Sequence, residues 1–297
     1  MSNLRVIRRR IRSIQNIRDI TKAMEMIAGV RFKRIEERYK RSLPYGTELE
    51  KLISRLLSEE LVSDHPLFKK RELRHELLIV ITGDRGLCGG FNSTLLRQAQ
   101  EYLAGKSSHQ VTLYPVGRVG AGFVRRRGWP LKKTLTDLGY RFTREDLRPH
   151  LEEVLSCYLS GDFDEVKILR MRFIKTGIQR PAMEPFLGLR YLLETARERE
   201  GSTEGPEIGH SEPNYLFEPG AREALEALID LFVRQRFFAI LLGSVTAEYN
   251  ARMIAMKLAT DNAEEVIDGL TLLRNKVRQA SITREMTELM SGVEALR

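Results

Sequence analysis

The sequence has little of what stabilises small or secreted scaffolds. Its 297 residues include two cysteines, Cys88 and Cys157, one tryptophan and 7% aromatic residues. Two distant cysteines with no CxxC exclude a disulfide framework and a zinc-thiolate site, and they fit a reducing compartment. The five histidines are scattered, with no HxxxH or HExxH, so no local His-based metal site is read. No run of 18 apolar residues occurs, and therefore no membrane-spanning helix. GxxxxGK[ST] and GxGxxG are both missing, so neither common phosphate loop is present.

What is present is basic and helical. The net charge is +9. Residues 1–41 hold 13 Lys/Arg against 4 Asp/Glu, while the other 256 residues carry 36 of each sign. The excess is one N-terminal feature that fits nucleic acid, a membrane surface or an acidic protein. With 42% hydrophobic residues the chain can build a sizeable core, and its length fits two domains. A nucleic-acid reader would add a basic groove-reading element elsewhere, and the neutral remainder argues against it.

Residues 3–57 read as one helix, with apolar positions Leu4, Ile7, Ile11, Ile14, Ile17, Ile20, Met24, Ile27, Ile35, Leu49, Leu52 and Leu56 at spacings mostly of three and four. Pro44 and Gly46 are expected to kink or loosen its far end. Such a stripe needs a long partner. Pro219 suits the first turn of a helix, and no proline follows it. Val266, Leu270, Leu273, Val277 and Ala280 then repeat 4-3-4-3, the seam of a left-handed coiled coil. An antiparallel pair of terminal helices results.

The middle reads as alternating strands and helices. Strands are expected at Glu76–Thr82, Val111–Val116, Val166–Ile174 and Phe186–Leu193, with a weaker one at Leu131–Leu135. Helices are expected at Asn92–Leu103, Val119–Arg127 and from a capping box at Thr143 and Asp146 to about Leu159. This is a Rossmann-like α/β domain with a largely parallel sheet. The fold class is mixed α+β and α/β, a long antiparallel coiled coil with a central Rossmann-like domain. The divisions are 1–60 for the first coil helix, 75–195 for the α/β domain, 196–218 for a mobile loop and foot, and 219–297 for the second coil helix.

Gly83 to Asn92, GDRGLCGGFN, follows a strand and opens a helix, where α/β sheets bind ligands. It reads either as a phosphate-holding loop of an α/β nucleotide-binding enzyme, with the long helices for dimerisation, or as a tight glycine turn whose Asp84 and Arg85 make local or inter-subunit contacts. Cys88 beside a helix start is either a reactive thiol or a small packed residue. The acid-free, Arg-rich start MSNLRVIRRRIRSIQNIR is either a transit or membrane-surface helix or the charged outer face of a coiled coil. Asn262, Asn275, Gln279, Ser281 and Thr283 cost helix propensity, and mark either a contact surface or an ordinary exposed face.

Three blocks decide among these. ITKAMEMIAGVRFKR (Ile20 to Arg34), ITGDRGLCGGFN (Ile81 to Asn92) and ARMIAMKLATDNAEEVIDGLTLLRNKVRQASITREMTEL (Ala251 to Leu289) together resemble the gamma subunit of F-type ATP synthase, in family order and spacing over the whole chain from Leu4. The resemblance implies no cleaved presequence and a rotary shaft without a catalytic site, cofactor or metal. It implies partners: three alpha and three beta subunits around the coil, and an epsilon subunit and the membrane c-ring below. It implies no nucleic acid and no membrane insertion, with the complex peripheral at the cytoplasmic face of a bacterial membrane. Residue by residue, Met24 matches the position facing an acidic lever loop of beta, and Arg278, Gln279 and Thr283, with Glu288, match the contact with the catalytic ring. Tyr215 and Glu218 match the foot on the rotor ring and epsilon, and Asp84 and Arg85 lie in the central-domain loop. Ala28-Gly29-Val30-Arg31-Phe32 and Ala247-Glu248-Tyr249-Asn250 depart from the usual AASKM and Ser-Glu-His/Gln patterns. No dithiol insert is present, so thiol regulation is not expected.

Overall fold

A computed structural model of the chain describes residues 2–56, 65–69, 71–188 and 220–294. Among these, the elements in chain order are α1 (Ser2–Leu56), β1 (Glu76–Ile81), α2 (Phe91–Ala104), β2 (Val111–Val116), α3 (Arg118–Arg127), α4 (Arg144–Ser160), β3 (Glu165–Lys175), β4 (Ile178–Leu187) and α5 (Ala221–Glu294). The chain divides into two compact units, residues 1–30 with 252–297, and residues 31–251. The long helices α1 and α5 contribute to both.

In the first unit, α1 and α5 run antiparallel. Thr260 Oγ1 lies 2.9 Å from Thr21 Oγ1, and a Cβ on Gly29 would sit 3.5 Å from Met253 Sδ. The inward face of α1 is Leu4, Ile7, Ile11, Ile14, Arg18, Thr21, Glu25 and Ala28, an unbroken 3-4 repeat. This corrects the apolar stripe. Ile17, Ile20 and Ile27 point outward, 50%, 59% and 53% exposed, while polar and small residues occupy the seam. On α5 a line of half-buried and buried positions runs through Met253, Met256, Thr260, Ala263, Ile267, Leu270, Arg274, Val277 and Ser281, again at spacings of three and four. Leu270 and Val277 hold their expected places. Val266, Leu273 and Ala280 do not, because they lie one flank away and are exposed. From Ile282 to Ser291 every residue is exposed, so α5 continues as a single helix past the start of α1.

In the second unit the inward repeat of α1 goes on through Phe32, Ile35, Tyr39, Ser42, Gly46, Leu49 and Ile53. The helix remains continuous through Pro44 and Gly46. The sheet order is β2-β1-β3-β4. β1 pairs in parallel with β2 and β3, and β4 returns antiparallel on β3. β1 is buried at all six positions, which is why it reads as an unbroken apolar run. The expected strand Leu131–Leu135 reduces to two isolated bridges, Leu113 with Leu131 and Val116 with Leu135. The strand expected at Phe186–Leu193 begins earlier, at Ile178, and its later part lies outside the described residues. Pro181 and Pro185 within β4 hid it, although an edge strand tolerates proline.

Local chemistry accounts for the element ends. Thr143 and Asp146 form the reciprocal capping box: Thr143 N–H donates to Asp146 Oδ2 at 2.7 Å and Asp146 N–H to Thr143 Oγ1 at 3.4 Å. Gly117 turns β2 into α3 at φ 93°, where a Cβ would sit 2.3 Å from the Thr82 carbonyl oxygen. No other residue fits that approach.

Candidate functional site

Two regions carry the expected site residues, and the structure gives each a different character. The first is the loop after β1. Gly83 N–H donates to Asn92 Oδ1 at 2.9 Å, and Asn92 Nδ2 donates to the Arg85 carbonyl at 3.4 Å, so one asparagine closes the turn. Cys88 is buried at the base of the loop, with its Sγ 3.9 Å from the Arg85 carbonyl, as a packed residue would be. Asp84 acts locally: its Oδ1 accepts the first amide of α3, from Arg118, at 3.0 Å.

That cap belongs to α3, the helix after β2, and not to α2, which the loop itself opens. An α/β sheet holds a phosphate with free amides at a helix start. At the start of α3 the Val119 amide is bonded to the Gly83 carbonyl, Gly120 to Thr82 Oγ1 and Ala121 to the Gly117 carbonyl. With Arg118 held by Asp84, these four donors are already satisfied inside the fold.

The loop presents two further features that the sequence did not mark. Leu87 adopts φ 62° and is 60% exposed. A left-handed leucine pointing into solvent is an uncommon arrangement, held by the turn around it. Glu248 of α5 lies against Gly83, where a Cβ would sit 2.8 Å from Glu248 Oε1. A side chain at this position would have to displace the carboxylate end of Glu248. The signal in the sequence was the glycine itself, but its partner is 165 positions away along the chain.

The second region is the first unit. Met24 is half-buried on the flank of the seam. Arg278, Gln279, Thr283 and Glu288 are exposed on α5. Thr283 offers its carbonyl to Thr287 Oγ1 at 2.8 Å. The side chains of Arg278, Gln279 and Glu288 form no hydrogen bond or ion pair with other described residues. Tyr215 and Glu218, with the loop 196–218, lie outside the described residues. The structure therefore brings Asp84 and Arg85 into one loop and the α5 residues onto one helix, but the two groups belong to different units.

The chain matches the sequence profile of the family described as ATP synthase over residues 3–296. It is 36% identical over 297 residues to the ATP synthase gamma chain of Desulfitobacterium hafniense, covering all of both chains. The chain belongs to the ATP synthase gamma chain family. The gamma chain of Protochlamydia amoebophila is 32% identical, again over the full length of both. Among solved structures, a chain of the Euglena gracilis mitochondrial ATP synthase OSCP/F1/c-ring assembly aligns with a TM-score of 0.64 at 17% identity, covering 99% of this chain and 95% of that one. A chain from the Tetrahymena thermophila central stalk and c-ring aligns at 0.59 and 20%, covering 81% and 99%. At those identities the likeness is one of fold. As a gamma-family chain, the protein is the central rotor shaft of ATP synthase, coupling ion flow to ATP synthesis and hydrolysis. The alternative of a nucleotide-binding enzyme built on Gly83–Gly90 is not supported. Among the described residues no helix is long and apolar enough to cross a membrane.

Proposed function

We propose that the chain works without a catalytic centre of its own, at the cytoplasmic face of a bacterial membrane. In this reading three alpha and three beta subunits surround the first unit, and an epsilon subunit and the membrane c-ring meet the foot around Tyr215 and Glu218. The observation that carries it is the exterior of the first unit. Its seam is closed, yet Ile17, Ile20, Ile27, Leu272, Ile282, Met286, Leu289 and Met290 all face outward. Apolar residues left outward in such number mark an interface.

The chemistry follows from asymmetry. Three identical catalytic sites differ only if something inside the ring presents a different face to each, which couples binding free energies through contact. Residues 2–30 carry seven Lys/Arg and two acids, while residues 252–291 carry six of each. The positive charge therefore sits on one helix, and its attraction for an acidic beta loop varies with angle. Met24 lies on that helix. Arg278, Gln279, Thr283 and Glu288 supply directed polar contacts, and the outward aliphatic residues supply contacts that slide.

Replacing Arg278 and Gln279 with alanine tests the division. ATPase of the assembled complex is expected to fall more than assembly yield. Unchanged turnover would remove these residues from the coupling surface. Calorimetry of the isolated chain with ATP tests the missing catalytic centre, and stoichiometric micromolar binding would refute it.

A further inference from the structure

One segment of the second unit holds both long helices at once. Tyr140 to Arg144 leads into α4, and its contacts alternate between α1 and α5. The Arg31 guanidinium carbon, on α1, lies 5.1 Å from the Tyr140 ring centre and 6.0 Å from that of Tyr249 on α5. The two rings meet edge to face, 6.1 Å apart. Arg38, two turns further along α1, donates to the Tyr140 carbonyl at 3.0 Å and to the Phe142 carbonyl at 2.6 Å. Phe142 is buried against Phe238 of α5, ring centres 5.6 Å apart. Arg144 lies over the same Phe238 and donates to Gln235 Oε1 at 2.7 Å. Gln235 then donates to the Ser42 carbonyl of α1 at 2.8 Å.

We propose that residues 140–144 form a strap that locks α1 and α5 to the α/β domain against twist, with Arg31 as its pin, a positioning residue for rotary coupling. An apolar seam alone is non-directional and allows helices to slip. Edge-to-face rings, and the bonds from one guanidinium to two carbonyls, fix angle as well as distance. Arg31 is suited to its place because a weakly hydrated guanidinium is attracted to both adjoining rings at once and bonds more directionally than an ammonium. The two stretches in which this sequence departs from the usual family pattern contribute Arg31 and Tyr249, so the departures meet in one contact. The strap gives the α/β domain a hold on both strands of the shaft.

The proposal rests on the shaft role, and the test separates the two. Complexes carrying Arg31→Ala, Arg31→Lys or Tyr140→Leu are reconstituted in vesicles. Hydrogen exchange across 140–144 and ions pumped per ATP hydrolysed against a gradient are measured on each. Losing the pin should raise exchange in the strap about two- to thirtyfold, the range of a cation–π contact. Pumping per ATP should fall in Arg31→Ala and Tyr140→Leu, with ATPase in the absence of a gradient near the parent value and Arg31→Lys intermediate. Merely structural packing would change exchange but not pumping per ATP. Parent-level pumping per ATP in both Arg31→Ala and Tyr140→Leu, with or without faster exchange, overturns the proposal. If those two do not assemble, Arg31→Lys decides: reduced pumping per ATP supports the strap, and parent-level pumping per ATP, with or without faster exchange, overturns it. Coupled pumping by a complex lacking the chain entirely would instead refute the shaft role.

Discussion

Deleting Thr287 to Arg297 separates what α5 does for the chain from what it does for the complex. Every described residue from Ile282 to Ser291 is exposed, so the described part of the deleted segment, residues 287–291, packs on nothing within the chain. The isolated chain should therefore lose no more than about 0.5 kcal/mol, the usual scale for surface changes, and its melting temperature should stay within a few degrees. The cost appears on assembly. Leu289 and Met290 are each 70% exposed, and full burial of such a side chain contributes about 1.5–3 kcal/mol. Covering what is now exposed would contribute about 1–2 kcal/mol each, so losing both lowers the assembly equilibrium roughly 30- to 1,000-fold. A single helix of this length is marginal in water, so the ring must also order it. Differential scanning fluorimetry of the isolated chain and titration of assembly with alpha and beta subunits measure the two effects. A truncated chain that melts several degrees lower, or that assembles with unchanged affinity, would refute the reasoning.

Three further outcomes follow from the second unit and the seam. Gly86→Ala should be silent, because a Cβ there meets nothing within 4 Å; Gly83→Ala should cost no more than about 1 kcal/mol, because the group it crowds is the far end of the flexible Glu248 side chain; and Gly117→Ala, whose Cβ would meet backbone at positive φ, should cost more than either. Thermal melts check that order, and Gly117→Ala as stable as Gly86→Ala would contradict it. Thr260→Val alone should cost about 0.5–1.5 kcal/mol, whereas Thr21→Val with Thr260→Val, which removes both partners of the 2.9 Å contact, should be closer to neutral; an additive double mutant would deny the coupling. His150 lies 2.5 Å through Nδ1 from the Tyr114 hydroxyl, and burial, helped by Lys133, holds its pKa below the ordinary value. The unfolded chain then binds the extra proton first, so this contribution is present above about pH 6.5 and is lost as pH falls toward the lowered folded value. His150→Gln should flatten the acid limb of a melting-temperature profile, and an unchanged limb would exclude His150 as its source.

Much of this was legible in the sequence because local chemistry and tertiary structure agree. β2 begins and ends as read, and the capping box at Thr143 lies where its spacing placed it. The seam of α1 was misread for a physical reason. Periodicity analysis assumes that apolar residues face the protein and polar ones face water. Between Arg18 and Ala28 the inward positions are polar or small, while Ile17, Ile20 and Ile27 face outward. The assumption fails when apolar residues face outward, as the proposed contact with surrounding subunits requires of this helix. The strap was invisible for a different reason. Its members are separated by up to 218 positions along the chain, and a guanidinium beside a pair of touching tyrosines has no sequence spacing.

The 3-4 repeat on the inward face of the first unit also gives the shaft a mechanical sense. Helices whose contact faces recur every 3.5 residues coil about each other with one hand only. Like cordage, such a pair answers torsion unequally. Turning that tightens the lay presses the two strands together across Ile11 and Ala28. Turning that opens it draws them apart, and the load then falls on the threonine pair at Thr21 and Thr260 and on the small aliphatic contacts beside it. The element is a one-handed spring: an equal torque yields a smaller angular lag in one direction than in the other. A motor driven both ways through it would show different compliance in its two working directions, with no difference in the sites it drives.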